Sequence, residues 1–243
     1  MSFSFIIDSN CEKARAGTLL VDGNEILTPV FMPVATKSAV RTLSSADLIK
    51  LNFDIILSNT YHLYLTPGTN VLSQFNGLHN FMKWPKSILT DSGGYQVFSL
   101  NHNTKISEEG VVFKSHIDGS SHFFSPESVM AIQQIIGSNI VMPLDHCIYS
   151  ADDEIDVRNS MQRTHDWLIR SVNSHNSSNS ALFGIVQGGV YSNLRKESCL
   201  FESELDLPGY SIGGLAVGED KSTMYRIVEE CNEYLPADKP RYL

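Results

Sequence analysis

Short apolar runs alternate along this chain with longer stretches in which apolar residues recur every three or four positions. The runs are VFMPVA (30–35), DIILSN (54–59), SILTD (87–91), NIVMPLD (139–145), ALFGIVQG (181–188), GYSIGGLA (209–216) and RYL (241–243). Most are continuously apolar, the pattern of strands buried on both faces between parallel neighbours. The periodic stretches predict helices. Ser125-Pro126-Glu127 supplies an N-cap, a proline at the first helical position and an early acid, and the helix it opens stops at Gly137. Asp156 to Val172 places Val157, Met161, Trp167, Leu168 and Val172 on one face, and Asn193–Leu205 and Lys221–Leu235 read the same way. Gly110 to Phe124 differs: two alternating runs flank Asp118-Gly119, which predicts a hairpin inserted after the third strand.

Strand–helix alternation over this length predicts a parallel sheet, either doubly wound or closed as a (β/α)8 barrel. No G-x-G-x-x-G follows a first strand, so the dinucleotide-binding signature of a doubly wound fold is missing. Polar residues also stand at the C-terminal ends of many strands, where barrel enzymes assemble their sites. Asn59, Asp91, Asp145, Gln187 and Gly213-Gly214 follow five successive strands. The expectation is an α/β chain, one TIM-barrel domain over residues 1–243 with an inserted β-hairpin. RYL at 241–243 begins a seventh strand, so the barrel reads as incomplete, with about six to seven of its eight strands.

Composition narrows the class. The chain is 42% hydrophobic and 19% charged, ordinary for a soluble globular protein. It shows neither a signal peptide nor a membrane-spanning run, so a cytoplasmic location is the default. Cys11, Cys147, Cys199 and Cys231 are widely spaced and form no C-x-x-C pair, which indicates neither a disulfide scaffold nor a zinc site. The net charge of −9 argues against a general nucleic-acid binder, although a local basic patch stays open.

Each polar strand end has a plain structural explanation as a turn cap or a buried amide. Their conjunction suggests more. A carboxylate accepts two parallel N–H groups, an amide offers donor and acceptor, and a backbone N–H beside glycine adds a donor. Asp145, Gln187 and Gly214 would together match a flat ligand bearing two adjacent donors next to a carbonyl, the pattern of the guanine edge. Tyr95 would supply a stacking face, and Asp91 would be free to move a proton. A metal site of Asp91, Asp145, His62 and His146 is the weaker reading, because no H-x-H or H-E-x-x-H spacing supports it. His62 is placed near the mouth. His79, His102, His116, His122, His165 and His175 are placed in loops or on helix surfaces without a role.

FMPVAT (31–36), LSNTYHLYLTPG (57–68), LTDSGGYQVFSL (89–100), EEGVVFKSHIDGS (108–120), LFGIVQGG (182–189) and GGLAVGE (213–219) strongly resemble the bacterial tRNA-guanine transglycosylases, or queuine tRNA-ribosyltransferases, in family order. The resemblance implies exchange of the wobble guanine of GUN-anticodon tRNAs for preQ1 by covalent double displacement. Asp91 then resembles the general acid/base, and Asp145 the reader of N1–H and the amino group. Gln187 and the Gly214 N–H resemble donors to the ring carbonyl, and Tyr95 the stacking platform. Ser92, Gly93 and Gly94 complete the binding segment. The Leu215 carbonyl would accept the aminomethyl group of preQ1, with Glu219 supporting the alternative peptide orientation. Val217 and Cys147 match the bacterial pattern.

The resemblance also implies a zinc ion in the full-length family, whose ligands this chain lacks, no organic cofactor, and a homodimer when full length. The nucleophilic aspartate maps to no residue here, so these 243 residues alone are expected to be inactive. A departure is His146 where the family has Glu beside the base reader. The competing readings are a non-catalytic base-binding fragment or partner subunit, and an unrelated metal-dependent barrel hydrolase.

Overall fold

A computed structural model describes residues 2–100, 104–149, 152–176, 178 and 180–243. The chain opens with an antiparallel meander, β1 (Phe3–Cys11), β2 (Ala14–Val21) and β3 (Asn24–Thr28), which the apolar pattern did not predict. The signal was Asp22-Gly23 between β2 and β3. Both residues have positive φ, 49° and 81°, the conformation that lets a two-residue turn join antiparallel strands.

The alternating part follows. Ser44 and Asp47 form a capping box on α1 (Ser45–Lys50), and β4 (Ile55–Asn59) comes next. Asn59 caps α2 (Thr60–Leu63), which runs through a π-helical turn at Tyr64–Gly68 into α3 (Thr69–Gln74) and α4 (Leu78–Met82). Then come β5 (Ser87–Asp91), α5 (Gly94–Leu100), and an antiparallel trio of β6 (Lys105–Ile106), β7 (Val111–Lys114) and β8 (Ser121–Phe124). The predicted hairpin is β7–β8, and β7 alternates buried and exposed as its sequence implies. The remainder is α6 (Pro126–Ile136), β9 (Ile140–Val141), α7 (Glu154–Ser174), β10 (Ala181–Leu182), β11 (Gly184–Val186), α8 (Ser192–Ser203), β12 (Tyr210–Ile212), α9 (Lys221–Tyr234) and β13 (Arg241–Tyr242).

Several predicted strands are shorter than expected, among them GYSIGGLA, which keeps only Tyr210–Ile212. VFMPVA makes only a bridge, Val34 beside Leu57, because Pro33 has no N–H to donate. NIVMPLD keeps only Ile140–Val141 before Pro143. ALFGIVQG is divided at Phe183, where the chain changes partner: Phe183 N–H donates to Val141 and Gly184 N–H to Gly209. The parallel sheets β10-β9-β5-β4 and β11-β12-β13 are therefore continuous through this segment. The whole is a mixed α/β architecture of parallel strands and helices.

Alternate strand residues serve two apolar layers. Ile56, Ile88, Val141 and Leu182 face the helices and the hairpin, with Trp84, Phe113, Phe124 and Trp167. Ile55, Leu89, Ile140 and Phe183 face the other side, where Leu19, Val21 and Ile26 of the meander join them. Ile55, Ile140 and Ala181 begin their strands, so the meander sits at the starting ends and leaves the C-terminal ends open. Helix α7 differs from the pattern in detail. Val172 is exposed, while Ser160, Thr164 and Ser171 are buried and satisfy their hydroxyls on carbonyls three or four residues back. His165, expected on a surface, is also buried there, stacked on Phe201 and bonded to Ser198. His102 lies outside the described residues. No helix among the described residues is long and apolar enough to cross a membrane.

Phe113 is fully buried between Tyr61, His122 and Phe124, so it ties the hairpin to α2. Phe113→Ala is expected to lower the unfolding free energy by about 3–5 kcal/mol, read by chemical denaturation. A loss below about 1 kcal/mol would mean that the hairpin does not belong to the cooperative core.

Candidate functional site

Parallel pairing brings the strand ends together. Asn59 lies beside Asp91 in register, and Thr90 beside Val141, so polar residues that follow these strands emerge at one end of the sheet. There they line a cavity of about 410 Å3 with walls that include Asp91, Asp145, Tyr95, Gly214, Leu215 and Tyr242. Ser92, Gly93, Cys147 and Val217 line it as well. Gln187 reaches the site through Asp145 and is itself buried.

Asp145 is held from two sides. The Ser92 hydroxyl donates to Oδ1 at 3.0 Å and the Gln187 amide donates to Oδ2 at 2.9 Å. Ser92 in turn accepts the Gly94 N–H at 3.1 Å, which fixes the hydroxyl between backbone and carboxylate. This packing requires glycine at 94, since a Cβ there would overlap the Asp145 carboxylate. Asp91 ends β5 and accepts the Tyr242 hydroxyl at 3.1 Å. Tyr242 is a site residue that sequence reasoning did not single out; its signal was an aromatic at the end of the last apolar run.

Both carboxyls line the cavity, and burial dominates their acidity. Burial pushes Asp91 up to about 7; the Tyr242 hydrogen bond opposes this and the Asp145 charge adds to it. Burial likewise pushes Asp145 up to about 6 against the hydrogen bonds from Ser92 and Gln187. Asp91 is therefore poised to give or take a proton near neutrality. Burial, together with the Asp145 charge, pushes the Cys147 thiol up to about 12, so it stays a neutral, small side chain on the cavity wall.

The opposite wall is backbone. Gly214 has φ of 61°, and a Cβ would overlap the Gln187 amide oxygen. Ala216 and Val217 donate their N–H groups to Glu219, the second at 3.0 Å. In a trans peptide the Leu215 carbonyl then points away from Glu219. Ala216 adopts φ of 58°, left-handed for a residue with a Cβ, so this turn stores local strain. Tyr95 is 47% exposed at the rim, on α5, with Phe98 and Tyr149 behind it.

Other expected participants are elsewhere. Asn59 donates to Gln96 and caps α2, a structural role. His62 packs on Tyr61 and His116 and is not among the cavity-lining residues. The His146 ring faces Arg163 at 3.0 Å, next to Trp167, with Arg163 paired to Glu108. Burial and the Arg163 charge hold His146 down at about 4, so it is neutral beside Asp145. The Asp91, Asp145, His62 and His146 metal reading thus loses both histidines. Among the described residues no three His, Cys, Asp or Glu are grouped to hold a metal ion.

A family model described as queuine tRNA-ribosyltransferase matches residues 9–243. Curated relatives with that same name are 49% identical over 242 residues in Herpetosiphon aurantiacus and 54% identical over 232 residues in a Thermoanaerobacter species. The chain belongs to the queuine tRNA-ribosyltransferase family. The alignments cover 100% and 95% of this chain, which spans 62% of the length of each relative. A Dictyoglomus turgidum relative gives the same picture, 49% identical over 246 residues and 63% of its length. In this family member the sequence-selected residues Asp91, Ser92, Gly93, Tyr95, Asp145, Gly214 and Leu215 share one cavity, and Gly94, Gln187 and Glu219 brace its walls.

A carboxyl whose folded pKa exceeds its unfolded value binds its proton more tightly when folded. Its contribution to stability is present in acid and is lost as pH rises from the ordinary 3.8 through about 7 for Asp91. Asp91→Asn is therefore expected to flatten the fall in unfolding free energy between about pH 4 and pH 7, measured by denaturant titration at several pH values. An unchanged slope would mean that Asp91 titrates normally.

Proposed function

We propose that this chain is the base-reading part of an enzyme that exchanges the wobble guanine of GUN-anticodon tRNAs for preQ1. The observation that carries the reading is one cavity walled by two raised-pKa carboxyls and a glycine-flanked backbone edge. Asp145, pinned by Ser92 and Gln187, offers its remaining lone pairs to the N1–H and amino group of guanine. Tyr95 at the rim supplies a stacking face for a base flipped out of the anticodon stack.

The chemistry is that of a retaining displacement. A nucleophilic carboxylate, which the resemblance assigns to a segment outside these residues, bonds to the ribose C1′ as the C1′–N9 bond breaks. The bonding electrons go to N9, and the Asp91 carboxylic acid supplies the proton. In the second step the incoming base attacks C1′ through N9, the enzyme carboxylate leaves, and Asp91 takes the N9 proton back. A pKa of about 7 lets one carboxyl do both. The Leu215 carbonyl, turned from Glu219, is oriented as an acceptor for the aminomethyl group of preQ1. Reversal of that peptide would offer an N–H to guanine instead.

The strand arrangement supports a (β/α)8 barrel as the scaffold. Parallel positions run from Val34 through β4, β5, β9, β10/β11 and β12 to β13. The two ends of that series, Val34 and Tyr242, line a common cavity of about 450 Å3.

In the full-length protein, Asp91→Asn is expected to abolish incorporation of labelled guanine into a GUN-anticodon tRNA with the fold intact. Near-normal turnover would sink the acid/base assignment. Asp145→Ala is expected to weaken guanine and preQ1 binding at least tenfold by titration calorimetry, about the worth of a charge-assisted hydrogen bond. Unchanged base affinity would remove Asp145 as the reader.

A further inference from the structure

Beneath the cavity lies a cation that none of these steps uses. Arg195, on α8, is fully buried. Its guanidinium spends its donors on main-chain carbonyls: Nε to Gly189 at 2.8 Å, Nη1 to Val186 at 2.9 Å and to Gly213 at 2.8 Å, and Nη2 to Gly214 at 3.3 Å. Burial holds its pKa below the ordinary value, and the neighbouring Glu202 carboxyl is pushed far up by its own burial. Such a group is costly to bury, and its rigid planar fork suits acceptors that must be held in fixed directions.

The directions matter because of peptide geometry. The only cis peptides among the described residues precede Pro29 and Pro67, so the Gly213–Gly214 peptide is trans. With the Gly213 carbonyl drawn to Arg195, the Gly214 N–H points the opposite way, from the guanidinium toward the side on which Gly214 lines the cavity. The next peptide is fixed likewise through the Gly214 carbonyl. The one after that is held from another side, by Glu219. The loop is thus divided at Leu215 between a stretch fixed by a buried cation and a stretch governed by a carboxylate at the surface.

We infer that Arg195 is a positioning residue for base recognition: it aims the Gly214 N–H at the ring carbonyl and holds this donor independently of the Leu215–Ala216 peptide, which Glu219 holds instead. The inference rests on the base-pocket reading above. It explains why α8 carries an arginine on its buried face, next to Ser198, whose hydroxyl accepts the Gln187 N–H at 3.1 Å. One helix face thereby braces both walls that meet the carbonyl.

The test compares guanine with 6-thioguanine, which keeps N1–H and the amino group but replaces the carbonyl oxygen with a poor acceptor. Dissociation constants for both are measured calorimetrically on the parent chain, Arg195→Lys and Arg195→Met, with folding checked by circular dichroism. The parent is expected to favour guanine by about tenfold, the worth of one well-aimed hydrogen bond. Arg195→Met should reduce that preference to about twofold, and Arg195→Lys, which keeps the charge but not the fork, should fall between. A preference unchanged in folded Arg195→Met overturns the inference. If that variant does not fold, an unchanged preference in Arg195→Lys overturns it. A parent that binds neither base, or does not distinguish them, overturns the base-pocket reading and this inference with it.

Discussion

The change of hydrogen-bond partner at Phe183–Gly184 governs everything built at the strand ends. Phe183 still donates to β9, while Gly184 already donates to the residue before β12. One segment thus hands the chain from one short parallel sheet to the other, and the polar residues beyond β5, β9, β11 and β12 meet at one cavity. Asp91 and Asp145 follow strands of the first sheet, Gln187 and Gly214 strands of the second. The glycine is required at the crossing, since a Cβ there would run into the buried Glu202 carboxyl.

The site then works by withholding water from groups that want it. Asp91 and Asp145 are both pushed up, yet they are not equivalent. Asp145 has two fixed donors that favour its anion, so it is suited to receive N–H groups. Asp91 has a single phenol donor and a like charge nearby, so it is the better proton carrier. Two carboxyls of one chemistry are set in different environments by their partners, the logic by which glycosidases separate acid from nucleophile. On the far wall the peptides held by Arg195 and by Glu219 make a corresponding division among neutral groups.

Much of this was legible in the sequence, for definite reasons. Strands buried on both faces betray themselves as apolar runs, and an ionisable residue ending such a run is conspicuous, which is how Asp91 and Asp145 were found. Helix α6 announced both its ends, Ser125-Pro126 and Gly137. What the sequence hid was of two kinds. The meander strands are half-exposed and interleave polar with apolar residues, so only the Asp22-Gly23 turn carried a signal. Arg195 and the buried setting of His165 carry no sequence signal, because helical periodicity reports apolar residues and is silent about a polar group that finds its partners inside. Val172 erred the other way, an apolar residue that fits the period and yet faces water.

The Tyr242–Asp91 hydrogen bond joins residues 151 positions apart. Such a closure cannot form until both residues have been synthesised, whereas the β4–β5 ladder and the hairpin need only neighbouring segments. During synthesis on the ribosome, Asp91 therefore acquires its phenol partner well after the β4–β5 ladder that carries it has been made. The environment that sets the acidity of Asp91 is thus complete only once β13 has been made and has paired.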